Sequence, residues 1–275
     1  MSASDRNRLR ATFEEVAELY DRARPTYPAA VFDDLAELGR LRPGSRVLEI
    51  GCGTGKATVD LARRGFRLVC VELGPSLADL ARAKLRPFPD VEVITAAFET
   101  WEPGARRFDA VVAFSAFHWL DPETGYRKAA EALTPTGVLA IASSEHVAGR
   151  DSFWAGVQED YDAVDPREDN RPPPAPEEVP DLLAEMEASG CFRALAAPRH
   201  VRELVYTAET YIDVLETYSG HRALDAAVRE ELHRRIRRRI AGRPGGRVVK
   251  TYLTILNVGA VVPRADGLRD ARRSG

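Results

Sequence analysis

The chain has 275 residues, 44% of them hydrophobic and 29% charged. That is the composition of a globular protein long enough to bury a core without disulfide or metal staples. A formal net charge of -3 gives no general attraction to nucleic acid or to an anionic membrane, so neither is expected as a partner. The three cysteines Cys52, Cys70 and Cys191 include no Cys-x-x-Cys pair, which argues against a disulfide framework or a zinc ribbon, and no metal site is expected. The polar start MSASDRNRLR lacks the apolar core of a signal peptide, and no apolar run approaches the ~20 residues of a spanning helix. A soluble, cytoplasmic protein is expected; its oligomeric state is not readable.

Helical spacing of Phe13, Val16, Ala17 and Tyr20 predicts a helix over 12–20, stopped by the prolines of YDRARPTYP. A second helix is expected over 31–41, ended by Pro43-Gly44. Strands and helices then alternate. RVLEI reads as a buried strand and RLVCVEL, VEVITA, FDAVVAFSA and VLAIAS as the second to fifth strands, with helices over 56–64, 75–84 and 124–133 among them. This spacing implies βαβ units and a parallel sheet covered on both faces. After Arg150 a helix is expected over 153–161, an irregular Pro-rich loop over 165–180 and a helix over 181–189. A strand at RHVRELVY, helices over 208–218 and 224–240, and a long last strand at VVKTYLTILNVGAVV complete the chain.

The sharpest signal is VLEIGCGTG, Val47 to Gly55, where a buried strand meets Gly51, Gly53 and Gly55 and a helix follows. Glycines let the backbone turn tightly and approach a ligand, and the helix start offers free N–H groups. The dinucleotide fingerprint would need its third glycine at Lys56. The P-loop would need Gly at Ile50 and Ser or Thr at Ala57. What remains is the acid-x-G-x-G turn of S-adenosylmethionine enzymes, with Glu49 as its acid. An acid beside the turn suits a cofactor that carries positive groups and no phosphate. Glu72 ends the second strand, where an acid can accept both ribose hydroxyls.

With VLEIGCGTG, Glu72, the third-strand exit ITAAFETW and the fourth-strand exit FSAFHWLD, the chain resembles the class I S-adenosylmethionine-dependent methyltransferases. The likeness is strong from Val31 to Ser143. Through YDRARPTYP, ETYSGHRAL and the His-Trp pair it extends to a small-molecule branch that includes trans-aconitate methyltransferase-like proteins. The resemblance implies S-adenosyl-L-methionine as cofactor, with Gly51, Cys52 and Gly53 against its methionine part and Glu72 on the ribose. Leu73 would lie against the adenine and Ser115 would offer a backbone carbonyl. Ala97 stands where many members carry an acid for the adenine amino group, leaving Phe98 and apolar packing, with Glu99 as a substitute. It also implies a Rossmann-like, seven-stranded, mostly parallel α/β sheet with helices on both faces and the last strand antiparallel. Residues 1–30 are expected to form a lid segment, 31–262 the methyltransferase domain with a lid or insertion at 150–190, and 263–275 a loose tail.

His118, just beyond the fourth strand, stands where open α/β sheets carry their sites. It is a candidate general base, with a hydrogen-bonding role to cofactor or loop open beside it. Tyr20, Arg24 and Tyr27 form a second cluster. Tyrosine can lie over a sulfonium, which makes Tyr20 a catalytic as well as a cofactor candidate, and Arg24 can pair with a carboxylate. Trp119, Phe153, Trp154 and Tyr161 are candidates for an acceptor pocket, with core packing as the alternative. HRRIRRRI looks basic, yet Leu224, Val228, Leu232, Ile236 and Ile240 form a buried stripe, with glutamates preceding arginines by one turn. A solvated helix face follows. The expected reaction is methyl transfer to an oxygen, carboxylate or hydroxyl, of a small metabolite. The alternative is a protein of this fold that uses the bound cofactor for cyclisation, elimination or rearrangement, or only binds it.

Overall fold

The computed structural model describes residues 16–164 and 171–263. The first half of the expected 12–20 helix, residues 165–170 of the Pro-rich loop and the tail from 264 lie outside the described residues.

Five strands run parallel: β1 (Arg46–Ile50), β2 (Arg67–Glu72), β3 (Val91–Thr95), β4 (Phe108–Phe114) and β5 (Leu133–Val147). They lie in the order β3-β2-β1-β4-β5. The central strands read as continuous apolar runs because both their faces are covered. In β1, Val47 packs with the cluster of Phe32, Leu35 and Leu61, while its neighbour Leu48 packs with Val111, Tyr126 and Ala129 on the opposite face. This is the two-residue period of a strand. Helix α1 (Ala17–Ala23) precedes α2 (Ala29–Leu38), α3 (Lys56–Arg63) and α4 (Pro75–Leu85), and α2 to α4 supply buried side chains to the first cluster. The second is covered by α5 (Pro122–Ala132).

Beyond β5 the sheet closes with antiparallel strands. The chain adds α6 (Phe153–Val164), α7 (Leu183–Ala188), the edge strands β6 (Phe192–Ala196) and β7 (Arg199–Thr207), and α8 (Ala208–Leu215). A short helix α9 (Ser219–Arg222), α10 (Ala226–Ala241) and β8 (Arg247–Val261) follow. β8 pairs antiparallel with β5 from Val138↔Ala260 to Val147↔Thr251. Its other edge carries β6 at one end and β7 at the other. Seven strands are expected from the sequence; eight occur among the described residues, in seven positions, because β6 and β7 share one edge of β8. β6 is an edge strand in which only Phe192 is buried, so its sequence FRALA carries no buried apolar run.

α6, α8 and α10 bury a third cluster, including Trp154, Tyr211, Leu232, Ile236 and Ile240, against the Tyr252 end of β8. The basic helix α10 thus turns Leu232, Ile236 and Ile240 of its expected apolar stripe inward, while Val228 is half-buried. Two of its arginines are held in ion pairs at 2.7 Å, Arg235 with Glu231 and Arg239 with Asp160, and Arg237 and Arg238 are exposed. No helix among the described residues is long and apolar enough to cross a membrane.

The sheet order reverses between β1 and β4, where the connections leave in opposite directions. Open α/β sheets bind ligands outside the strand ends at such a point. The turns after β1 and β4 meet there.

Candidate functional site

β1 runs into Gly51, Gly53 and Gly55 with φ of 66°, 56° and 79°, the left-handed region that glycine adopts without a side-chain penalty. At Gly51 the need is also spatial, since a Cβ would stand 2.6 Å from the Cβ of Ala116, on the turn after β4. At Gly53 a Cβ would meet nothing within 4 Å. That open space is where a ligand can approach the backbone.

Glu72 ends β2 and is 6% exposed. It ties the two turns together: Oε2 accepts the Gly53 N–H at 2.8 Å and Oε1 the Gly74 N–H at 2.9 Å. Glu49, 1% exposed, takes a different part. It accepts the Thr58 hydroxyl at 2.7 Å beneath the turn. Burial pushes its carboxyl up to about 7, against the opposing hydrogen bonds from Thr58 and Cys70.

A cavity of about 470 Å³ opens over this floor. Gly51, Gly53, Glu72, Leu73, Phe98 and Ser115 are among its walls, with Tyr20 and Trp119. Leu73 is 41% exposed, an apolar side chain left uncovered at the rim. Ser115 is one of two described non-glycine residues at positive φ, 53°. Its hydroxyl accepts from Tyr27 at 2.8 Å, which fixes the strained turn.

Helix α1 and the segment after it border one side. Asp21, on α1, accepts the Thr54 hydroxyl at 2.6 Å and is paired with Lys84 of α4. Tyr20 thereby lines both the large cavity and a smaller one of about 80 Å³ that reaches Arg24, Tyr27, Glu49 and Cys52. Ser144, at the end of β5, and Tyr218 line the small cavity too, and both also line a third of about 350 Å³ beneath α6. The three spaces stand in series.

Most of the expected site residues converge here: Tyr20, Gly51, Gly53, Glu72, Leu73, Phe98 and Ser115 on the large cavity, Arg24, Glu49 and Cys52 on the small one. Ala97 lies between two lining residues, Ala96 and Phe98, without lining the cavity itself, and Glu99 does not line it either. Arg24 lines the small cavity with its guanidinium already engaged. Its guanidinium donates to Thr217 Oγ1 at 2.7 Å and to the Thr217 carbonyl at 3.0 Å, and it lies 4.1 Å from the centroid of the Tyr218 ring. His118 sits exposed on the 3-10 turn Phe117–Trp119, with its ring 4.7 Å from that of Trp119, and lines none of these three cavities. Of the four aromatic candidates for an acceptor pocket, Trp154 and Tyr161 line the third cavity, Trp119 lines the first, and Phe153 is core.

Asp21, Ser144, His146, Tyr218 and Lys250 were not singled out from the sequence. Lys250 carried a signal, as one cation inside the apolar run VVKTYLTILNV.

Comparison with known proteins agrees with this geometry. Residues 47–137 match the model of a methyltransferase domain. An uncharacterized methyltransferase of Mycobacterium tuberculosis (strain ATCC 25618 / H37Rv) is 33% identical over 141 residues, 51% of this chain and 55% of that protein. The trans-aconitate 2-methyltransferase of Afipia carboxidovorans is 34% identical over 116 residues, 42% of this chain and 44% of that protein. A shorter match, 42% identical over 79 residues, 29% of this chain and 21% of that protein, joins it to an rRNA adenine N-6-methyltransferase of Saccharopolyspora erythraea. The chain thus spans about half the length, or less, of the curated relatives it matches. Among solved structures, a candidate type II methyltransferase from Anaeromyxobacter dehalogenans has a TM-score of 0.60 at 22% identity, covering 88% of this chain and 99% of that one. A methyltransferase from Geobacter sulfurreducens in complex with S-adenosylhomocysteine has a TM-score of 0.50 at 16% identity, covering 88% and 93%. These two show the fold alone. Residues 47–137 thus match a methyltransferase domain, and the acid-x-G-x-G turn and Glu72 both lie inside that match, on a fold shared with solved methyltransferases.

Proposed function

We propose that the protein binds S-adenosylmethionine in the 470 Å³ cavity and transfers its methyl group to an oxygen of a small molecule held in the adjoining space. The observation that carries this is the arrangement of the first cavity: a glycine turn with open space above Gly53, an acid at the edge and an uncovered apolar side chain at the rim.

The residues fit the cofactor. The Glu72 carboxylate, which accepts the Gly53 and Gly74 N–H groups, also lines the cavity at the height where the ribose hydroxyls would lie. Leu73 offers its exposed face to the adenine, with Phe98 and backbone in place of the acid that Ala97 lacks. Glu49 lies behind Gly51, where an acid favours the cofactor's positive groups.

When bound, the cofactor supplies a methyl group on a sulfonium, already electrophilic. The protein's task is then to hold the acceptor oxygen in line and to exclude water. Tyr20 lines both the large cavity and the small one, so its ring is placed to border the reacting atoms. An acceptor carboxylate is ionised at neutral pH and needs no base, whereas a hydroxyl does. His118 serves as that base only if the Phe117–Trp119 turn brings it to the cavity.

A small-molecule acceptor fits better than nucleic acid. The adjoining space is sized for a small molecule, and Arg235 and Arg239 of the basic helix Ala226–Ala241 are engaged by Glu231 and Asp160. Incubation of the full chain with methyl-labelled cofactor and a metabolite extract tests the reading. Label in a small molecule supports it; a converted but unlabelled product with intact cofactor supports the rearranging alternative instead.

A further inference from the structure

Lys250 is 1% exposed. Its Nζ donates to the Tyr211 and Tyr218 hydroxyls at 3.4 and 3.3 Å. It lies 5.0 to 5.6 Å from the ring centroids of Trp154, Tyr211, Tyr218 and Tyr252. No carboxylate of the described residues pairs with it; the charged group it feels besides Tyr218 is another cation, Arg24. An ammonium taken out of water without an anion is strongly disfavoured, and aromatic faces offset only part of that cost. Burial accordingly holds the Lys250 amine below its ordinary range, while Tyr218 pulls the other way.

This cation lines the 350 Å³ cavity beneath α6, within the size range of small-molecule sites. A second, independent feature lies on the same cavity: His146 Nε2 is buried and has no hydrogen-bond partner. Burial, aided by the Lys250 charge, keeps that imidazole neutral, with a pKa of about 2. Buried polar atoms in folded proteins are nearly always paired, so an unpaired one on a cavity wall points to a group that the cavity receives. The other charged side chains on the wall are Arg171 and Glu145, so cations outnumber anions. The remaining walls are largely aromatic: Trp154, Tyr161 and Tyr211. Tyr161 is fixed by a 2.8 Å hydrogen bond to His221. Ser144 and Tyr218 connect the cavity to the small space that borders Gly51 and Gly53.

We propose that this cavity is the acceptor site, that it takes a compact aromatic carboxylic acid, and that Lys250 and His146 recognise the carboxylate while Trp154, Tyr161 and Tyr211 hold the ring. The word "acceptor" rests on the methyltransferase reading; the acid site itself does not.

Calorimetry on the full chain saturated with S-adenosylhomocysteine tests it. The probes are benzoate, 4-hydroxybenzoate and cinnamate, each beside its neutral amide. Acids should bind at least about tenfold more tightly than their amides, roughly the ratio of one charge-assisted contact. Lys250→Met should remove that preference while leaving S-adenosylhomocysteine affinity within about twofold, and the ligand-free variant should melt no lower than the parent, because an apolar group replaces a buried charge. His146→Phe gives a second variant and should lower acid affinity with the amides unchanged. Absence of acid binding, equal binding of acids and amides, or a preference that survives Lys250→Met overturns the proposal. Should S-adenosylhomocysteine not bind while the acids still do, the methyltransferase reading fails and the acid site stands.

Discussion

Glu72 and Gly53 are joined by a 2.8 Å hydrogen bond from the Gly53 N–H to the Glu72 carboxylate, so the acid that ends β2 holds the turn that follows β1. The same carboxylate takes the Gly74 N–H, at the start of α4. One side chain therefore shapes the floor of the large cavity and is itself part of the cavity wall.

Glu72→Ala should cost twice. It leaves two N–H groups without their acceptor, which should lower stability by roughly 1–3 kcal/mol, and it should weaken cofactor binding beyond what the stability loss explains. Glu72→Gln, which keeps an acceptor oxygen, should recover part of both. Denaturant unfolding and calorimetry, run on the same samples, separate the two effects. Full affinity in a destabilised Glu72→Ala would show that the acid is structural only.

Gly51 and Gly53 should respond differently to the same substitution. Gly51→Ala forces a Cβ to 2.6 Å from Ala116 at positive φ and should destabilise the fold by roughly 1–3 kcal/mol. Gly53→Ala meets only open space. It should cost only about 1 kcal/mol of backbone strain but obstruct the ligand, and Gly53→Val should obstruct it further. Thermal melts with and without S-adenosylhomocysteine check this. Equal ligand-induced shifts in Gly53→Val and parent would remove the ligand from that face of the turn.

Glu49 makes stability depend on pH. Burial raises its folded-state pKa from 4.5 to about 7. Between these values the folded protein keeps a proton that the unfolded chain has released. Stability from this group therefore falls as pH rises through the window and levels off above it, with a slope of up to about 1.4 kcal/mol per pH unit. Urea midpoints of the parent and Glu49→Gln should converge as pH is lowered towards 5 and diverge towards 7, with the parent falling. Parallel curves would mean that Glu49 is ionised in the folded protein throughout.

His118→Ala should leave cofactor affinity unchanged and turnover within about tenfold of the parent, because the ring lines none of the three cavities in series. A fall in kcat of about 10²–10⁴-fold, with rescue by a more acidic acceptor, would instead make it the general base and require the Phe117–Trp119 turn to move.

What could be read from the sequence follows the locality of each signal. β1, β2, β4 and β5 stood out because strands covered on both faces are rich in apolar residues, β3 because it follows in the same alternation of strand and helix, and Gly51, Gly53 and Glu72 because a turn and a strand end are local patterns. β6 is an edge strand with only Phe192 buried, and the four-residue α9 is too short to build a period. The third cavity is assembled from β5, α6, α8 and β8: His146, Trp154, Tyr211 and Lys250 meet only after β8 returns to lie beside β5. No spacing in the chain encodes that meeting, although a lysine within an apolar strand was a clue. His118 illustrates the opposite limit. Its position after β4 was read correctly, but the sequence could not tell on which side of the turn its ring would lie.

The central claim is that the cavity over the glycine turn is a site for S-adenosylmethionine. Its most direct test is calorimetric titration of the full chain with S-adenosylhomocysteine and, separately, with NAD. Saturable one-to-one binding of S-adenosylhomocysteine, weakened by about tenfold or more in Glu72→Ala, with no binding of NAD, is the result predicted. Saturable binding of NAD with none of S-adenosylhomocysteine would contradict it.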